Sequence, residues 1–517
     1  MSIMADTKPD FAAGIPSSDL KPDTILAGEF DGKAVVLVRQ GDRVRALSGE
    51  CTHLGAGLEQ GIIAAGELRC PWHHARFAID TGEAVGAPAI EPLSCFAVTE
   101  EDGVIRVTGN ADADTDAGTQ ASPKPAPDQR RIVIVGGGAA GHACADVLER
   151  AGQGDRVLIL SADADAPYDR TFCSKQYLAG KKERDECMLP SGAGQAAASA
   201  EVRTGTTVTA LYTQAKTLST ADGQSVSYDT LILATGAEPI VPDIDGFDRD
   251  TVHVLRTLGD ADALIGAAQN AKSVAVMGAS FIGLEVAASL RQRKLSVTVI
   301  AKDDVPLGGV LGEEVGRFVR GLHEDKGVAF RLGRTIESYD GKAVTLDDGS
   351  TVDADLLVLG AGVKPRVELA EAAGIALATK EEGGGVRVDA TLATSAEGVF
   401  AIGDIASYPD PRLGHSIRVE HWVHAQRQGQ YLARRLLGEV EEGFGDTPFF
   451  WSGHYDTSLR YVGHAASAKD RRIEGDVDEG AFAVFFREDG KEQALLTCQR
   501  DVEALEVEAR WDMPASA

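Results

Sequence analysis

At 517 residues the chain is too long for one hydrophobic core, so several domains are expected. Its 79 acidic against 51 basic residues give a net charge of −28, with no long Lys/Arg run, which argues against nucleic acid or anionic membrane as partners. No apolar run reaches about 18 residues, the N-terminus lacks a signal-peptide pattern, and 7 irregularly spaced cysteines do not make a disulfide framework; a cytoplasmic globular protein is the default expectation.

Residues 20–110 carry short apolar stretches such as AVVLV at 34–38, separated by D-G and T-G turns, which predicts a small all-β domain. Within it stand CTHLGAGLEQ and CPWHHARFAIDTGEA, so that Cys51 and His53 form a C-x-H pair and Cys70 and His73 a C-x2-H pair. Two thiolates and two neutral imidazoles on two short loops suit a [2Fe–2S] cluster in which histidines replace cysteines on one iron. Zinc also takes Cys2His2, but the usual C-x2-4-C and H-x3-5-H grouping is missing. Both strings resemble the loops of ferredoxin-type Rieske domains. His74, beside the expected ligand His73, reads as a solvated loop residue. Ala75 and Phe77 stand where high-potential Rieske proteins carry hydroxyls, which predicts a potential in the lower part of the range of about −150 to +300 mV.

Residues 111–129, rich in Ala, Asp, Thr and Pro, read as a tether with an r.m.s. span of roughly 25 Å. Next comes RIVIVGGGAAGHACADVLERAG, a short apolar strand, a turn through Gly136, Gly138 and Gly141, and a helical pattern. This is G-x-G-x-x-G in the context that lets backbone approach a pyrophosphate at a helix N-terminus. A second copy, VAVMGASFIGLEVAASL, places Gly278, Ser280 and Gly283 after another strand, so two dinucleotides are expected. LILATGAEP, with Thr235 and Gly236, and VFAIGDIASYP, with Gly403 and Asp404, are further strands ending in small turns.

The order of these pieces, with PYDRTFCSK, HVLRTLGDA, RVEHWVHAQRQG and PFFWSGHYD, resembles the two-dinucleotide-binding-domain flavoproteins, in particular oxygenase-coupled ferredoxin reductases and apoptosis-inducing-factor-like proteins. The resemblance implies a multidomain chain in which a Rieske domain precedes an α/β flavoprotein with a C-terminal α/β cap. FAD would use 130–250 and 376–435, the nicotinamide coenzyme 251–375, and the cap 436–517. It further implies that Asp404 binds the ribityl chain, that Lys175 and Arg170 lie in a loop near the flavin, that Glu285 accepts the nicotinamide carboxamide, and that Trp422 lies flat beside the isoalloxazine. The ribose-binding acid expected near Ser161 is represented only by Asp163. Ala301 and Lys302 occupy the position of an NADH-selecting acid, so NADH is the family expectation while Lys302 leaves NADPH open.

A flavin accepts two electrons and releases them singly, which is what a one-electron cluster requires. The expected route runs from NADH or NADPH to FAD, to the [2Fe–2S] cluster, and on to an external acceptor, an oxygenase or a ferredoxin. A homodimer and a slow, redox-sensing role are the further expectations that the resemblance allows. Cys173, close in sequence to Arg170 and Lys175, is a candidate reactive thiol.

Overall fold

The computed structural model describes residues 8–110, 131–190, 200–465, 467 and 469–512; the expected tether at 111–129 lies outside them. They fall into two compact units, one of N-terminal residues together with the helix Asp501–Asp512, the other running from the first dinucleotide fold to Arg500. The segment 436–517, expected as a single cap, is therefore divided: its strands belong to the second unit and its helix to the first.

In the first unit an antiparallel six-stranded sheet carries Lys33–Gln40 next to its edge strand Ile25–Phe30. The AVVLV run is apolar throughout because this strand has a core on each face. Val36 and Val38 join Cys51, Cys70, Ala75 and Phe77 on one side, while Val35 and Leu37 join Phe11 and Phe96 on the other. A second sheet of four short strands, Ile62–Ala64, Glu67–Arg69, Arg76–Ala78 and Ala84–Gly86, carries the C-x2-H loop between its middle strands.

The second unit contains two parallel sheets. In the first, Ile132–Val135 lies between Val157–Leu160 and Thr230–Leu233, and Val399–Ala401 closes one edge. That edge strand comes from far along the chain, so the intervening residues form an insertion. The insertion holds the second sheet, built around Ser273–Met277 and flanked by Ser296–Ala301 and Leu356–Leu359. Both sheets are buried on both faces, which explains their unbroken Val/Ile/Leu strings. The unit also holds an antiparallel sheet of five strands, from Phe449–His454 to Lys491–Cys498, besides smaller two- and three-stranded sheets.

Candidate cluster loops and dinucleotide cavity

The two ligand loops have the same backbone construction. Cys51 N–H donates to Ala56 O at 2.8 Å and Gly55 N–H to Cys51 O at 2.9 Å; Cys70 N–H donates to Ala75 O at 2.9 Å and His74 N–H to Cys70 O at 3.2 Å. These closures bring His53 Nδ1 to 3.2 Å from His73 Nδ1, while the Cys51 and Cys70 thiols, both buried, meet in a hydrogen bond. As a thiol, Cys51 is pushed far above the ordinary range, first by that hydrogen bond and then by burial. The two loops thus bring two thiols together and set two ring nitrogens face to face. Two thiolates and two imidazoles are the protein ligands taken by a [2Fe–2S] cluster in which histidines replace cysteines on one iron. Ala75 and Phe77 are fully buried and offer the cluster pocket no hydroxyl. The solvated role expected for His74 is wrong: it is 1% exposed and its Nδ1 is paired with the Glu508 carboxylate.

In the second unit a cavity of about 1270 Å³ runs from the first glycine turn toward the antiparallel sheet. Gly136 has φ +116°, and a Cβ there would lie 2.1 Å from Ala234 O; a Cβ on Gly141 would meet Gly136 O at 2.0 Å. Those contacts set the turn so that Gly138, the N-cap of the helix Ala139–Arg150, opens onto the cavity. Asp163, Arg170, Thr235, Gly236, Gly403 and Asp404 line it as well. Asp163 accepts from Tyr168 Oη at 2.7 Å, and Arg170 stands 3.8 Å from it. Trp422 lines the same cavity, and its buried Nε1 has no partner among the described residues. Cavity volume, helix N-terminus and unpaired indole donor fit a dinucleotide such as FAD.

Arg256, missed in the sequence, also lines this cavity. It precedes the capping box Thr257–Asp260, whose Asp260 Oδ2 accepts its backbone N–H at 2.9 Å. So held, its guanidinium donates to Asp404 Oδ2 at 2.7 Å. The only sequence signal was the T-x-x-D spacing in HVLRTLGDA.

Lys175 and Glu285 meet at 2.9 Å on the cavity wall. Glu285 is 2% exposed. Its Oε2 also accepts from Ser174 Oγ and its Oε1 from Ser452 Oγ, both at 2.7 Å. Neither serine was identified from the sequence, because they lie 111 and 167 positions from Glu285. In the second fold, Ser280 is the N-cap of the helix Phe281–Gln292 and its side chain accepts from Gly283 N–H at 3.3 Å. Gly278, Ser280 and Gly283 are not on the wall of the main cavity, whose second-fold members include Phe281, Ile282 and Glu285. Lys302 is exposed just beyond the strand Ser296–Ala301.

Cys173 is buried, and desolvation pushes its thiol up to about 12, outweighing the opposing pull of Arg170. A reactive thiolate needs the reverse. Cys173→Ser is accordingly expected to leave the rate of flavin reduction by coenzyme within about twofold of wild type, near the few tenths of a kcal/mol typical of a substitution that removes no named interaction; stopped-flow absorbance checks this.

Burial also holds the imidazoles of His421 and His424 down at about 3, against an ordinary value near 6.5. They are neutral in the folded chain at pH 7, whereas the unfolded chain binds protons below about pH 6.5. Their contribution to stability is thus whole above that pH and is lost as pH falls toward 3, at up to about 1.4 kcal/mol per pH unit for each imidazole. The expected result is a thermal midpoint that drops steadily from pH 6.5 to 4, with a shallower slope in His424→Gln; equal slopes in the two proteins would contradict it.

The chain matches the pyridine nucleotide-disulphide oxidoreductase family over residues 130–429, the Rieske [2Fe-2S] domain over 12–97 and the reductase C-terminal domain over 449–506. It is 30% identical over 496 residues to human (Homo sapiens) apoptosis-inducing factor 3, covering 93% of this chain and 81% of that protein. It is 35% identical to the ferredoxin–NAD(+) reductase component of the anthranilate 1,2-dioxygenase system of Burkholderia cepacia, over 68% of this chain and 87% of the relative. The crystal structure of the covalent putidaredoxin reductase–putidaredoxin complex superposes with a TM-score of 0.69 at 28% identity, covering 74% of this chain and 93% of that one. Paired ligand loops, two glycine turns and these matches together place the chain in the pyridine nucleotide-disulphide oxidoreductase family, as a ferredoxin-reductase-like flavoprotein that carries its own Rieske domain.

Proposed function

We propose that this oxidoreductase draws electrons from NADH and delivers them, by way of FAD and its own Rieske cluster, to an external ferredoxin or oxygenase. The observation that carries the reading is the presence in one chain of a dinucleotide cavity walled by the Lys175–Glu285 pair and a loop pair offering two sulfurs and two imidazole nitrogens. FAD, when bound, supplies the conversion between a two-electron donor and a one-electron acceptor.

The chain's residues have distinct parts in this scheme. The Gly136–Gly141 turn and the helix behind it receive the pyrophosphate. Asp163 and Asp404 take ribose and ribityl hydroxyls, with Arg170 and Arg256 orienting the two carboxylates. Thr235 and Gly236 shape the wall beneath the flavin, and Gln428 Oε1, accepting from Gly403 N–H at 2.7 Å, fixes the turn that presents Asp404. Lys175 would supply positive charge beside the bound ring, and Glu285, which holds that ammonium in place, would accept from the nicotinamide carboxamide. Trp422 would pack against the bound ring system, and Gly278, Ser280 and Gly283 would form the coenzyme's turn. Cys51, His53, Cys70 and His73 would hold the cluster, the cysteines as thiolates and the histidines through ring nitrogen.

The potential of this cluster is expected in the lower part of the range of about −150 to +300 mV, since the buried Ala75 and Phe77 donate nothing to the sulfurs; a redox titration read by EPR checks it. Anaerobic titration with NADH and NADPH, followed by optical and EPR spectra of one purified polypeptide, tests the whole scheme. Coenzyme-dependent reduction of both flavin and cluster, with NADH giving the higher kcat/KM, is the expected result. Flavin reduction that never reaches the cluster, or very slow turnover with every acceptor alongside a coenzyme-induced change in sedimentation, would overturn it in favour of redox sensing.

A further inference from the structure

The matching backbones of the two ligand loops expose one difference. The residue four places after each cysteine adopts the left-handed conformation, φ +75° at Gly55 and φ +60° at His74. Glycine takes that conformation without strain, whereas a side chain there crowds the backbone. The second loop therefore carries a backbone cost that the first avoids, and the imidazole is buried rather than left in water. A buried polar ring in a strained position implies an interaction that requires it.

That interaction comes from the other end of the chain. His74 Nδ1 is paired with Oε2 of Glu508, which is 0% exposed and lies on the same buried helix face as Ala504, Leu505 and Ala509. One turn further along, Asp512 falls on that face too. Its Oδ2 accepts from Arg69 Nη1 at 2.7 Å and stands 3.6 Å from Arg76 Nη1, while Arg69 also reaches Glu67 at 3.0 Å. Arg69 immediately precedes Cys70, and Arg76 follows the loop closure at Ala75. Two carboxylates on one helix face thus grip the Cys70–His73 loop at its start, its turn and its exit. A buried carboxylate needs such partners to offset its desolvation, so the grip and the docking of the helix depend on each other.

We propose that the C-terminal helix is a working part of the cluster site, with Glu508 acting through His74, and Asp512 through Arg69 and Arg76, to position the loop that bears Cys70 and His73. Glu508 and His74 are positioning residues and touch no iron. The proposal rests on Cys51, His53, Cys70 and His73 being the cluster ligands. Partners just outside a metal's ligand shell orient the ligands, and their loss commonly lowers metal retention about 10- to 100-fold.

The test uses the full-length holoprotein and measures iron release to a chelator, the EPR g-values of the reduced cluster, and FAD content as a control. Glu508→Ala and His74→Gly are each expected to speed iron loss about 10- to 100-fold and to shift the g-values with FAD content unchanged, and Glu508→Gln, which keeps an acceptor oxygen, to restore most of the retention. The His74→Gly variant is decisive because it relieves the backbone: a histidine without a role there would leave retention equal or better. If the two residues act as one device, the double variant loses iron no faster than either single variant. Should Glu508→Ala fail to fold, His74→Gly and Asp512→Asn carry the same prediction. Wild-type retention and unchanged g-values in these variants, or fully additive effects, overturn the proposal. A wild-type protein that binds iron without a [2Fe–2S] signal overturns the ligand assignment instead.

Discussion

Replacing His73 by Ala is expected to abolish the EPR signal of the cluster and to lower reduction of a one-electron acceptor by more than about 100-fold, since even partners outside the ligand shell are worth 10- to 100-fold. Reduction of the flavin by coenzyme should persist, because His73 belongs to the first unit and every residue lining the dinucleotide cavity belongs to the second. The facing His53 and His73 nitrogens at 3.2 Å explain why one substitution suffices: a single imidazole leaves one iron with an open position, and the cluster becomes exchangeable. Iron analysis, EPR and acceptor kinetics on the same preparation provide the check. Full acceptor reduction in an iron-free His73→Ala protein would mean that electrons leave the flavin without the cluster.

The second large effect is expected at Glu285. Its removal in Glu285→Ala strands the Lys175 ammonium, 16% exposed, and leaves Ser174 and Ser452 without the acceptor they share. Breaking one side of a buried ion pair costs about 3–5 kcal/mol, so a fall in thermal stability of the flavoprotein unit should accompany slower flavin reduction. Coenzyme binding should weaken by roughly 10- to 100-fold, about 1.4 to 2.8 kcal/mol at 1.4 kcal/mol per factor of ten. Glu285→Gln separates the two contributions: the amide oxygen still accepts from a serine, but the opposite charge beside Lys175 is gone. Stability near wild type with impaired reduction would assign the effect to charge, whereas unchanged reduction in both variants would remove Glu285 from the proposed machinery. Differential scanning fluorimetry and stopped-flow absorbance distinguish these outcomes.

Much of the fold was legible because its signals are local. A strand, a glycine turn and a helix fit within about 30 residues, so both dinucleotide folds could be found by reading along the chain. The C-x-H and C-x2-H pairs were equally visible, since each loop closes on itself within five residues, as the Cys51–Ala56 and Cys70–Ala75 hydrogen bonds require. The arginine that orients Asp404 was less accessible: Arg256 lay inside a recognised string, yet its target stands 148 positions away.

Residue chemistry and short spacing were enough to predict the Rieske loops and the two glycine turns, because helix, turn and ligand-loop geometry is set by neighbours within a few positions, whereas the candidates Lys175, Glu285, Asp404 and Trp422 came from the resemblance of longer strings to the flavoprotein family. Tertiary packing decided which of them share a wall, which distant serines donate to Glu285, and that Cys173 is buried where desolvation pushes its thiol up. It alone joined His74 to Glu508 across 434 positions. Nothing in CPWHH or in the EALEVEARWD string marks the pair, since a histidine beside a ligand and a glutamate on a helix are ordinary until folding removes water from both; only then does each need the other.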